Sequence, residues 1–270
     1  MMSVNTNPGA MIALQSLSST NKALETTQLR ITTGLKVNGP KDNAATFAIA
    51  QNMRGDIAGL GAVKTNLALG QSITNVAIDA GKAVADLLVE MKAKTIQASQ
   101  EGLDTDSYTA LNSEFTSLRD QIDSIVQTAE FNGKNLITNA ATNLKVLSTV
   151  DGSTITVTAQ AIDATTLAIH TAVLTDATVA ATALSAISAA IISVSNALAS
   201  LGSAANRLDI QAEFTGKLQD ILKQGVGNLV DADLAQESAN LQALQIKQQL
   251  GVQALSIANA GPQSIMALFR

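Results

Sequence analysis

Acid–base or nucleophilic chemistry needs a histidine, a cysteine or paired carboxylates brought to one place, and this sequence offers few such groups. It contains a single histidine, His170, and no cysteine. A Ser-His-Asp arrangement would have to be built on His170, which lies in a Thr-rich stretch and reads as a surface residue. The His-Glu-x-x-His spacing that places two zinc ligands on one helix face does not occur. Gly59-x-Gly61 and Gly225-x-Gly227 lack the rest of a nucleotide-binding pattern and read as points where a helix flexes or breaks. A net charge of −5 and a pI near 4.9 provide no basic footprint for nucleic acid. The expectation is therefore no catalytic residue, no metal and no cofactor. The absence of cysteine fits a chain that crosses redox compartments or works outside the cell.

The informative groups are apolar and sit at the two ends. Residues 1–21 and 248–269 carry no charged side chain, yet both are patterned as amphipathic helices, with Met11, Leu14 and Leu17 in one and Ile246, Leu250, Gln253 and Ile257 in the other. Chain ends are normally polar and frayed, so an uncharged apolar face there implies a partner surface. The first 21 residues do not read as a secretory signal, since they lack a basic start, a continuous apolar core and a cleavage site. The stretch Thr178–Asn206 is uncharged, but its apolar residues are periodic and interleaved with Ser and Thr, so no membrane span is expected.

The elements that must position these faces are helical. Aromatic residues make up only 2% of the chain, and three prolines stand at positions 8, 40 and 262, which leaves long helices unbroken between them. Apolar positions Ile49, Met53, Ile57, Leu60 and Leu67, then Leu69, Ile73, Val76, Ala80, Leu87 and Met91, predict one helix over about 44–99. Gly102 ends it, and Asp104 or Asp106 can cap a second with a stripe at Leu111, Phe115, Leu118, Ile122, Val126 and Ala129. Phe131-Asn132-Gly133 reads as a turn. Alternation on both sides of Asp151-Gly152 predicts a hairpin with a type I′ turn, within a small surface β insertion over residues 140–178. Leu184, Ile187, Ile191, Val194, Leu198, Leu201, Ala205, Leu208, Ala212 and Thr215 then follow a 3-4 heptad rhythm, the mark of left-handed helix packing. Gly225 and Gly227 are expected to break that helix, and Asp233-x-x-Gln236 to open the last one. The fold class is mainly α: an elongated helical-bundle rod of long antiparallel helices with a terminal paired-helix coil and one small β-hairpin insertion.

The sequence resembles bacterial flagellin, the subunit of the flagellar filament, in its short alphaproteobacterial form. The resemblance is carried by Ser3-Val4-Asn5-Thr6-Asn7, by Leu29–Asn38 followed by Lys41-Asp42-Asn43-Ala44-Ala45, by Glu130–Leu136, by Leu229–Ser238 and by the ending Gln263–Arg270. These matches cover nearly the whole chain in the family's order. The resemblance implies an inner terminal domain (residues 1–43 and 228–270), in which the first and last helices pair along the filament core. It also implies a domain of three long helices (residues 44–227) bearing the insertion, with no further outer domains. It implies export unfolded through the flagellar type III apparatus, a filament location outside the cell, homopolymerisation, and contacts with an export chaperone, cap and hook-associated proteins. An enzymatic role is not implied, and the absence of His-Glu-x-x-His sets the chain apart from proteolytic flagellins.

On this reading the polymerisation residues are Met11, Leu14, Leu17 and Leu24 in the first helix and Leu241, Leu244, Leu250, Leu255, Ile257, Ile265 and Leu268 in the last. The competing reading is an intramolecular hairpin of the two ends. Arg30, Lys36, Lys41, Asp42 and Arg54 are candidates for charged contacts between subunits, or else solvated linker charges of small energetic weight. Thr154, Thr156, Thr165, Thr166 and Thr171 are candidates for the O-linked sugars that similar flagellins carry, or simply Thr of high β propensity. The arginine and glutamate of the helix patch through which other flagellins are detected by an innate immune receptor align with Glu90 and Ala93, which implies weak or no recognition. The alternatives weighed are a flagellin-like junction protein between hook and filament and a helical signalling module. The second lacks the central hairpin.

Overall fold

The computed structural model describes residues 6–268, with side chains described through residue 260. Within them run five helices and two antiparallel strand pairs, a mainly α chain. It divides into two compact units, residues 1–55 with 221–270 and residues 56–220.

In the first unit, α1 (Pro8–Thr33) starts at Asn7, whose Oδ1 accepts the Ala10 amide at 3.1 Å, with proline at the first helical position where no amide is needed. It stops at Gly34, whose φ of 70° suits only a residue without Cβ strain; the Gly34 amide donates to the Arg30 carbonyl at 2.8 Å. α5 (Leu234–Leu268) opens at Asp233, whose Oδ1 accepts the amides of Ala235 and Gln236. The connections after α1 and before α5 are stitched together. The Lys36 amide donates to the Val230 carbonyl at 2.7 Å, and the Ala232 amide to the Gly34 carbonyl at 2.9 Å. Leu35 and Asp231 form a bridge, with Val37 and Val230 buried nearby in sequence. The Asp42 carboxylate closes the turn by accepting the Asn38 and Gly39 amides, and Asn43 caps α2 (Ala44–Ala98) through the Thr46 amide.

The second unit is built from the rest of α2, from α3 (Thr105–Thr128) and from most of α4 (Ala177–Val230). Asp104 caps α3 by accepting the Ser107 amide at 3.0 Å. On α2 the buried positions Leu60, Val63, Leu67, Thr74, Ala77, Val84, Leu88, Met91, Thr95 and Ala98 keep to a seven-residue repeat. α4 answers with Ala180, Ala183, Ile187, Ala190, Val194, Ala197, Leu201, Ala204 and Leu208. α3 contributes Phe115, Ile122 and Val126 to the same core. An 18-residue window of α4 has a mean hydropathy of 1.9, enough by length and composition for a membrane span, but its heptad stripe is used in this core.

Four expectations are corrected. First, Asp151-Gly152 does not form a two-residue type I′ turn. β3 (Leu144–Leu147) pairs with β4 (Thr154–Val157) in the register Leu144↔Val157, leaving a six-residue loop in which Gly152 alone takes positive φ, at 91°. The pair of positive φ values that a type I′ turn requires occurs instead at Asn132 (φ 52°) and Gly133 (φ 71°), between β1 (Glu130–Phe131) and β2 (Lys134–Asn135). Second, the 140–178 segment is not purely a surface insertion: Val146, Val157, Ile162, Leu167, Ile169 and Leu174 are buried in the core. Third, Gly225 and Gly227 do not break α4, which continues to Val230. They make room instead, since a Cβ on Gly225 would lie 2.9 Å from Met53 Cε and one on Gly227 2.8 Å from Asp231 Oδ2. Fourth, Ile49 and Leu69, placed on the α2 stripe by spacing, are exposed.

Candidate assembly surface

α1 and α5 pack against one another as an antiparallel pair. The least exposed positions of α1 are Ala10, Ala13, Leu17, Thr20, Leu24, Thr27 and Ile31, and those of α5 are Glu237, Leu241, Leu244, Gln248, Gly251, Leu255 and Ala258. Both lists alternate steps of three and four, so each helix offers a heptad seam to the other. Gly251 lets Leu17 in: a Cβ there would lie 3.2 Å from Leu17 Cδ1.

Three polar rungs hold the register. Asn7 Nδ2 donates to the Ala258 carbonyl at 2.7 Å, Gln248 Nε2 donates to Asn21 Oδ1 at 2.8 Å, and Arg30 Nη1 meets Glu237 Oε1 at 2.9 Å. Glu237 is only 9% exposed, and Arg30 is the ion-pair partner opposite it. The sequence reading singled out Arg30 but not Glu237, Gln248 or Asn7. The signal of Glu237 and Gln248 was heptad position, which a search for large apolar residues passes over, and that of Asn7 was a helix cap before Pro8.

This register lays the uncharged part of α1 beside the uncharged part of α5. The sequence-predicted polymerisation residues then separate into two groups. Leu17, Leu24, Leu241, Leu244 and Leu255 are half-buried at the seam, whereas Met11 (64% exposed), Leu14, Leu250 and Ile257 (74% exposed) face away from it. Ile12, Ile246 and Val252 are exposed as well. Ile265 and Leu268 lie outside the residues whose side chains are described. The two ends thus make an intramolecular hairpin and still display an apolar outer surface, so the two readings of the sequence are not exclusive.

Of the charged candidates, Arg30 is committed within the chain to Glu237, and Asp42 to its own turn. Lys36 and Lys41 are exposed and Arg54 is half-buried. Thr154, Thr156, Thr165, Thr166 and Thr171 are all exposed; the Thr166 hydroxyl donates to Asp163 Oδ1 at 2.6 Å. The His170 side chain is exposed, and its carbonyl accepts from Arg119 Nη1 at 2.8 Å. Glu90 and Ala93 are both exposed on α2. Among the described residues no group of three or more metal-ligating side chains converges.

Comparison with known proteins places this arrangement. Residues 4–142 match the bacterial flagellin N-terminal helical region, and residues 184–269 match the bacterial flagellin C-terminal helical region. A Caulobacter vibrioides flagellin, FljK, is 50% identical over 269 residues, covering 99% of this chain and 98% of that one. A Brucella melitensis flagellin is 39% identical over 283 residues and covers both chains completely. The crystal structure of Bacillus cereus flagellin aligns with a TM-score of 0.51 at 27% identity, over 56% of this chain and 88% of that one. A flagellar hook-associated protein structure from Vibrio parahaemolyticus shares the fold, with a TM-score of 0.59 at 16% identity over 70% of this chain and all of that one. The chain belongs to the bacterial flagellin family, structural proteins and not enzymes, and is a subunit of the extracellular flagellar filament.

Proposed function

We propose that the exposed apolar side chains on the uncharged part of the α1–α5 hairpin, Met11, Leu14, Leu250 and Ile257, are the contacts through which copies of this chain bind one another in the filament. The observation that carries this reading is the antiparallel register, which sets the uncharged parts of α1 and α5 side by side while Met11, Leu14, Leu250 and Ile257 stay exposed there. Burying about 1,000 Å² of such surface yields a gross ~25 kcal/mol before the cost of ordering and association. A contact repeated head-to-tail without closing extends into an open helical polymer. Seam residues Leu17, Leu24, Leu241, Leu244 and Leu255 support this surface by holding the hairpin, and Ile265 and Leu268 are proposed polymerisation residues on the family resemblance alone.

The test is Leu250→Lys with Ile257→Lys, assayed by adding monomer to filament seeds. The hairpin should keep its helix content while elongation falls at least tenfold. Elongation at the unmodified rate would overturn the assignment. The same seeds separate filament subunit from junction protein, because the unmodified chain should grow long filaments and not stop after one added ring.

Family resemblance supports a set of finer partners. We infer that residues 1–43 and 228–270 form the inner filament layer and residues 44–227 the outer one. The chain is secreted through the type III apparatus and engages an export chaperone, the cap and hook-associated proteins. Pull-down of these proteins by the full chain, lost on charge substitution of the terminal helices, checks those contacts. Lys36, Lys41 and Arg54 remain candidates for contacts between subunits, and salt-insensitive growth would remove them. The exposed Thr154, Thr156, Thr165, Thr166 and Thr171 are candidate O-glycosylation sites, a proposal that an intact mass equal to the bare polypeptide would end. Exposed Glu90 and Ala93 support weak or no innate immune receptor recognition, which strong receptor activation by purified filament would refute.

A further inference from the structure

Glycine within a helix is less favourable than alanine, so a repeated glycine on one face needs a steric reason. α2 carries Gly59, Gly70 and Gly81 at intervals of 11 residues. Eleven residues come within about 20° of three full helical turns, so the three share a face. All three belong to the second unit. The absent side chain is replaced at each by an incoming group. A Cβ on Gly59 would lie 2.6 Å from Val150 Cγ1, one on Gly70 2.5 Å from Val146 Cγ2, and one on Gly81 2.8 Å from Leu198 Cδ2 and 3.6 Å from Ile162 Cδ1. Val146 lies on β3, Val150 in the loop beyond it, and Ile162 after β4. Gly61 is different, since its nearest neighbour is Gln219 Nε2 at an ordinary 3.6 Å.

We propose that Gly59 and Gly70 form a docking track along α2 that seats the β3–β4 hairpin, with Gly81 continuing the same face against Leu198 of α4, and that the Val150–Gly59 contact is a releasable catch on the hairpin tip. The rungs differ in how easily they yield. Val146 is 4% exposed and walled in by core, so its methyl cannot turn away from Gly70. Val150 is 46% exposed, so its methyl has solvent to move into. Behind the tip, the Ser148 carbonyl accepts from Gln211 Nε2 at 2.9 Å, which tethers the start of the loop to α4 while Val150 lets go. The hairpin therefore opens in two stages, tip first and strands second.

A size swap across the catch tests this on the full-length monomer, read by limited proteolysis within residues 149–152. Gly59→Ala should push the tip off and raise the cleavage rate about tenfold. Val150→Ala should do so through loss of the methyl. In Gly59→Ala with Val150→Ala the new methyl fills the space the valine vacated, and the rate should return to within about twofold of the unmodified chain. Gly61→Ala should have no effect, and Gly70→Ala should extend cleavage into β3 and β4. Additive effects in the double variant, or equal acceleration by Gly61→Ala, would overturn the catch. If Gly59→Ala lost its helical signal, Val150→Ala alone remains decisive, because it leaves α2 untouched and an unchanged cleavage rate would sink the proposal.

Discussion

Asp104 shows how one carboxylate sets where a helix begins. Hydrogen bonding with the Ser107 side chain and then with the Ser107 backbone holds its carboxyl below the ordinary range, against a small opposing effect of burial. A depressed folded-state value means that the capped start of α3 is favoured at pH above the unfolded carboxylate range. That advantage is lost as pH falls through the lower folded value. The first-turn amides of α3, Ser107 above all, should therefore stay protected from hydrogen exchange through the normal carboxylate titration and lose protection only at more acidic pH. Asp104→Asn, which keeps an acceptor and removes the charge, should flatten this dependence; an unchanged pH profile in that variant would count against it. This cap was legible in the sequence because Asp follows a helix-ending glycine, and the spacing allowed either Asp104 or Asp106. The Arg30–Glu237 pair was not legible, since 207 residues separate its members. Sequence alone gives the types of such residues but not the register that brings them together.

At the scale of elements, α4 shows what periodicity can and cannot decide. Spacing predicted a seam at Leu184, Ile187, Ile191, Val194, Leu198 and Leu201, and half of it is buried as expected. The other half is displaced by one residue: Ala183, Ala190 and Ala197 are buried, while Leu184, Ile191 and Leu198 pack partly exposed beside them. Hydrophobicity favours the larger residue of each adjacent pair. Close approach of helices favours the smaller, because only a methyl fits at the point of nearest contact. Ala190→Leu should therefore destabilise the helical core by about 1–3 kcal/mol through overpacking, whereas Ile191→Leu one position away should change it by less than about 1.5 kcal/mol. Denaturant titration of both variants checks this, and an Ala190→Leu chain as stable as its parent would show that the alanine seam is loose. The same sensitivity to small residues explains why Gly225 and Gly227 read as helix breaks. In sequence a glycine that ends a helix and one that admits a neighbour look alike.

The two units differ sharply in how much they bury. Among the described residues of the first unit, Thr27, Val37, Ala50, Val226, Val230 and Glu237 are buried, two of them polar, and the α1–α5 seam is otherwise only half-buried. The second unit holds a continuous cluster running along α2, α3 and α4 with both strand pairs' neighbouring segments. Stability scales with apolar burial, so the isolated chain should unfold in two steps, the terminal hairpin first. Deleting residues 1–35 removes α1 and uncovers Leu241, Leu244 and Leu255. Calorimetry of that chain should show the lower transition gone and the upper one unchanged, and the chain should not polymerise. A single cooperative transition in the full chain, or filament growth by the deletion, would contradict this partition. A marginal hairpin also makes assembly thermodynamically visible. Anything that binds only the folded hairpin raises its apparent stability by mass action. If neighbouring copies are that partner, the lower transition should move upward in polymer, and dissociating the polymer should return it to the monomer value.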